Sequence, residues 1–126
     1  MLNAIFVAVF GALGALARWG SSHWVNQSTA SSLPLGTLAV NGIGSALLGL
    51  MCGFCLHSDA LDERWRLALA TGFLGSFTTF STFSVETIQL ADSERWGLAA
   101  TNIVLQLVVG LSAAAAGFFI AKQTLA

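Results

Sequence analysis

The sequence predicts an all-α membrane protein with four transmembrane helices, the third broken mid-membrane. Composition is the first observation behind that prediction. Of 126 residues, 56% are hydrophobic and 9% are charged, against about 25% charged in an average soluble domain. Charge balance is the second. Five Lys and Arg against six Asp and Glu leave a formal net charge of −1, so no basic or acidic field recruits nucleic acid. The third is charge spacing. Uncharged runs fill 1–17, 19–58, 67–85 and 96–121. A helix rises about 1.5 Å per residue and the hydrocarbon core is about 30 Å thick, so roughly 20 residues cross it. Spans follow at 2–20, 36–56, 67–90 and 96–121, and residues 1–126 form a single transmembrane domain. The composition excludes a soluble enzyme, a disordered chain and a disulfide scaffold.

The first span ends at Arg18 beside Trp19. Arg18 either snorkels to the headgroups or forms an electropositive pore mouth that gathers anions. The triplet Ala15-Leu16-Ala17 resembles a small-residue signal-cleavage site, but residues 1–10 lack the Lys or Arg that opens a signal peptide. A polar stretch at 21–32 and Pro34 separate this span from the second.

In the second span Thr37, Asn41 and Ser45 recur every four residues on one helical face. Two readings fit: interhelical hydrogen bonding, or a path whose amide and hydroxyl donors replace an anion's water. Gly49 and Gly53 form a GxxxG, and Gly110/Ala114 and Ala113/Gly117 repeat the spacing. Together with the small size, these pairs favour a homo-oligomer. Cys52 and Cys55 form a C-x-x-C inside an apolar helix, where buried cysteines behave as small hydrophobes. His23 and His57 stand alone at loop edges.

The third span reads Thr71-Gly72-Phe73-Leu74-Gly75-Ser76-Phe77-Thr78-Thr79-Phe80-Ser81-Thr82-Phe83-Ser84-Val85-Glu86. Gly72 and Gly75 each weaken a helix by about 1 kcal/mol relative to Ala. The hydroxyls from Ser76 to Ser84 compete for backbone hydrogen bonds. Either the helix breaks, exposing carbonyl oxygens that suit a hard cation such as Na⁺, or it stays intact with back-bonded hydroxyls. Phe80 and Phe83 share a face. They are packing residues, or their positive ring edges hold an anion beside Ser and Thr hydroxyls. Glu86 is an interfacial anchor or borders a vestibule. In the fourth span Asn102 and Gln106 recur at a step of four, with Thr101 and Ser112 nearby. Gln106 lies near mid-span, where it is costly against lipid.

Four spans place both termini on one side. Arg64, Arg66 and Lys122 fall there, and Arg18 and Arg95 fall opposite. That near-balance is a weak orientation signal. It leaves open a fixed topology with cytoplasmic ends, or insertion both ways, from which an antiparallel dimer follows.

Gly11 to Trp19, Gly36 to Asn41 and Gly72 to Glu86 resemble the signatures of the Fluc (CrcB) fluoride channels. The likeness reaches all four spans, and the third-span motif is highly specific. The resemblance implies an antiparallel, dual-topology homodimer with two fluoride pores, multi-pass in a bacterial inner membrane. It implies a structural Na⁺ at the dimer centre, held by backbone carbonyls of Gly75 and Thr78 from each subunit. Phe80 and Phe83 would line the pores with their ring edges, and Asn41 would supply a donor. Arg18 would sit near a vestibule. Thr37, Ser81, Thr82 and Glu86 are weaker carry-overs. The fourth helix departs from the family's serines: Gln106 replaces another polar pore residue, and Gly110 stands where Ser is common. The implied function is passive export of fluoride that entered as neutral HF and ionised inside.

Two rivals share the size. A small drug–proton antiporter needs a membrane-embedded Glu in its first helix, whereas no acidic residue precedes Asp59 here. A non-transporting assembly subunit would use the small-residue pairs alone. No Ser/His/Asp arrangement, phosphate-binding loop or carboxylate pair marks an enzyme active site.

Overall fold

The computed structural model describes residues 1–57 and 61–124. The middle of the second predicted connection, with Asp59, lies outside the described residues. Those described are helical, with no strand among them. Helix α1 covers Leu2–Ser28 and α2 covers Leu35–His57. A short α3, Glu63–Arg66, runs into a π-helical stretch, Leu67–Leu74, and then into the single turn α4, Gly75–Phe77. After a two-residue break come α5, Phe80–Asp92, and α6, Trp96–Thr124. Helices α1, α2 and α6 are long and apolar enough to cross a membrane. The third predicted span is the broken series from α3 to α5.

Helix α1 runs past the predicted end at residue 20 to Ser28. The polar stretch joins the helix because its hydroxyls bond backward to backbone carbonyls. Ser22 donates to the Arg18 carbonyl at 2.7 Å and Ser28 to the Trp24 carbonyl at 2.8 Å. The connection to α2 is accordingly short. Pro34 supplies the carbonyl that accepts the Leu38 amide at 3.2 Å, and the Asn26 side chain accepts the Gly36 amide at 2.8 Å. One helix thus caps an orphan donor of the next.

The small-residue pairs are used within the chain. A Cβ on Gly49 would strike the Ala114 carbonyl, and one on Gly117 would strike the Ala46 carbonyl. The spacing read as favouring a homo-oligomer therefore sets the close approach of α2 and α6. On the other side of the bundle, a Cβ on Gly14 would meet the Phe73 backbone, so α1 lies tightly on the π-helical stretch. That stretch widens the helix: the Gly75 amide reaches the Ala70 carbonyl, five residues back.

Several polar side chains are buried, and many large apolar ones face outward. Thr37 and Asn102 are each 2% exposed, while Leu13, Leu16, Ile43, Val104 and Leu111 face outward. This distribution suits a bilayer, where polar groups turn to the interior. The chain is a multi-pass membrane protein.

Candidate functional site

The break falls between Phe77 and Phe80, inside the stretch where glycines and hydroxyls weaken the helix. Thr78 and Thr79 are both extended, with ψ of 157° and 116°. Backbone freed at membrane depth needs new partners, and Asn41 on α2 supplies them. Its Oδ1 accepts the Thr79 amide at 2.8 Å, and its Nδ2 donates to the Thr79 carbonyl at 3.0 Å. The same Nδ2 donates to Gln106 Oε1 on α6 at 3.0 Å. Thr79 also caps α5: its Oγ1 accepts the Thr82 amide at 3.2 Å and donates to Thr82 Oγ1 at 3.0 Å. Ser81 Oγ lies 3.3 Å from the same hydroxyl.

These bonds sort the carbonyls around the break. In an unbroken helix Gly75 would accept from the Thr79 amide and Thr78 from the Thr82 amide. Both amides go to side chains instead, Asn41 and Thr79 respectively. The Gly75 and Thr78 carbonyls are thereby released from their helical donors. Ser76 and Thr79 fare differently. Arg18 Nε donates to the Ser76 carbonyl at 3.1 Å, and Asn41 takes that of Thr79.

A cavity of about 240 Å³ opens at the break, lined among others by Asn41, Ser45, Thr79, Phe80, Phe83 and Gln106. Phe80 and Phe83 meet edge to face, with centroids 5.3 Å apart and planes at 70°. Phe83 is 8% exposed but Phe80 is 76% exposed, pointing out of the chain. Gln106 is 8% exposed, and its Nε2 is buried without a hydrogen-bond partner. Gly110 lines the same cavity, and the nearest atom to a Cβ built there would be Ser45 Oγ at 3.9 Å. Gly110 itself carries no hydroxyl, and Ser45 on α2 brings one to this wall of the cavity.

Thr37 and Glu86 form a separate pair one helical turn away. Thr37 Oγ1 donates to Glu86 Oε1 at 2.7 Å, while Glu86 Oε2 is buried without a partner. Ser81, Thr82 and Glu86 together line a shallow groove on the outer face of α5. The anticipated polar residues thus divide into the break cavity, the Thr37–Glu86 pair and the Arg18–Ser76 contact. Asn102, one turn from Gln106 on the same face of α6, donates to Thr87 Oγ1 at 2.9 Å.

Thr79 is the residue that sequence reasoning missed. Its signal was present: a Thr followed three residues later by another hydroxyl, at a helix start. Ser76 was also missed as the partner of Arg18. Cys52 and Cys55 are free, and no group of three His, Cys, Asp or Glu gathers among the described residues.

Comparison with known proteins adds a second line. Residues 5–118 match the family model described as CrcB-like protein, Camphor Resistance (CrcB). The fluoride-specific ion channel FluC of Syntrophotalea carbinolica is 46% identical over 97% of this chain and 99% of its own length. A second such channel, from Symbiobacterium thermophilum, is 49% identical over 85% of this chain and 87% of its own. That of Sorangium cellulosum is 41% identical over 96% and 95%.

Proposed function

The chain belongs to the CrcB family, and on that premise we propose that it is a fluoride-selective channel that exports fluoride passively across the bacterial inner membrane. The family is one of ion channels, and the chain is not an enzyme. The observation that carries the proposal is the break cavity, with a buried donor that lacks an acceptor. An unsatisfied buried polar group costs about 1–3 kcal/mol. A fluoride beside Gln106 Nε2 supplies the missing acceptor without a full positive charge to trap it. The positive edges of Phe80 and Phe83 and the hydroxyl of Ser45 replace the rest of the ion's water. Thr37, Ser81, Thr82 and Glu86 continue the polar line beyond the cavity. Arg18 stands at the vestibule and fixes the Ser76 carbonyl.

The transport needs no turnover chemistry. Neutral HF crosses the bilayer, ionises in the less acidic cytoplasm, and the anion leaves through the channel down its gradient. The drug–proton antiporter and assembly-subunit readings gain nothing from the family matches.

The reading includes four membrane crossings and an antiparallel, dual-topology homodimer. Phe80 supports the dimer: a ring assigned to the pore faces outward, so the path of one chain is completed by another. Gly75 is exposed as well. The donor set fits a structural Na⁺ at the dimer centre. Carbonyl oxygens are hard ligands, and those of Gly75 and Thr78 are among the carbonyls that the break releases from helical donors. The ion would supply fixed positive charge that joins the two breaks.

The test is fluoride release from liposomes holding only the purified protein with Na⁺ present, with chloride followed in parallel. Fast fluoride release without matching chloride release is the expected result. No fluoride release from vesicles holding folded protein would overturn the reading.

A further inference from the structure

A second cavity, of about 340 Å³, lies between the α1–α2 connection and the turn that joins α5 to α6. Asn26, Ser31, Ser32, Ser93 and Arg95 lie on its wall, and Glu86 lies there too. Glu86 is the far end of the Thr37–Glu86 pair, so this cavity adjoins the polar line that leads from the break. A carboxylate at that point repels an arriving anion. Of the residues lining the cavity, only Arg95 carries a positive charge.

The backbone fixes where Arg95 stands. Its amide donates to the Leu90 carbonyl at 2.9 Å, and the Glu94 amide donates to the Ala91 carbonyl at 2.9 Å. These bonds form a Schellman motif, which needs a left-handed residue at its corner. Glu94 takes that conformation at φ 58°. The Arg95 carbonyl then accepts the Leu98 and Ala99 amides, both at 3.0 Å, and so starts α6. Arg95 is thus locked from both sides. The same turn separates the charges. Asp92 and Glu94 line a different groove, with Ile88 and Trp96, while Arg95 lines the cavity above Glu86.

We propose that Arg95 is the anion-collecting residue of this mouth, raising the local fluoride concentration and offsetting the Glu86 carboxylate. The proposal rests on the fluoride-channel reading and adds a rate-determining residue to it. Its signature is salt dependence, because a charge at a wet mouth acts through a field that salt screens. The screening length is about 30 Å at 0.01 M and about 10 Å at 0.1 M.

The experiment is unitary fluoride current in planar bilayers at fixed fluoride, with ionic strength raised by an impermeant salt. At about 10 mM, Arg95→Glu is expected to lower the current about tenfold, within the range of field-driven rate effects. At about 300 mM the loss shrinks below about twofold. Arg95→Lys holds the wild-type current at both strengths. Glu94→Gln, which removes a charge outside the cavity, changes it less than Arg95→Gln does at low strength. Should Arg95→Glu fail to assemble, Arg95→Gln replaces it, with an expected loss of about threefold at low salt only. An equal loss at both strengths, no loss at low strength, or a salt-sensitive change of the same size in Glu94→Gln would overturn the proposal. Absence of current in the wild-type protein would instead overturn the fluoride-channel reading.

Discussion

At position 41 a carboxylate fits the space but not the hydrogen bonds. Asn41 accepts one bond from Thr79 and donates to Thr79 and to Gln106. Aspartate keeps the acceptor and loses both donations, each worth about 1 kcal/mol. It also sets an oxygen against the Thr79 carbonyl and brings negative charge to the proposed anion path. Asn41→Asp is therefore expected to lower fluoride current more than about tenfold, and undiminished current would remove Asn41 from the path. Interhelical hydrogen bonding by Asn41 was legible from its place on a polar helical face. Its hold on the break was not. That depends on Thr79, which is distant in sequence and reaches Asn41 only because α2 packs beside the broken span. Gln106 was legible as a costly mid-span polar residue, but its unpartnered Nε2 is a property of the packed site.

At the scale of elements, the break between Phe77 and Phe80 follows from chemistry that the chain displays openly. Glycines lower the cost of leaving the helix, and hydroxyls offer the freed amides new acceptors. The π-helical stretch before the break has no comparable signal. It arises where α1 presses Gly14 onto the Phe73 backbone. The end of α1 misled for a related reason, since the serines that suggest a loop also back-bond within a helix. The small-residue pairs were legible as close contacts but not as contacts within one chain. Their packing carries a direct prediction. In Gly117→Val the new Cβ meets the Ala46 carbonyl, backbone that yields little. Overpacking of this kind costs about 1–3 kcal/mol. Thermal melting in detergent should show a clear fall in midpoint, and an unchanged midpoint would place α2 and α6 farther apart than described.

For the whole molecule, the distribution of polarity connects fold to transport. Bilayer-facing surfaces are apolar, and the interior holds Thr37, Asn102 and Gln106. One chain alone leaves Phe80 outside, which fits a path shared between two copies. In the proposed function, fluoride passes the ring edges of Phe80 and Phe83 at the break. Fluoride release from liposomes holding Phe83→Ile or Phe80→Ile, each first shown to assemble like the wild-type protein, tests it most directly. Isoleucine conserves apolar bulk and removes the positive ring edge. Release is expected to fall at least about tenfold in each with assembly retained. Wild-type release in both would contradict it.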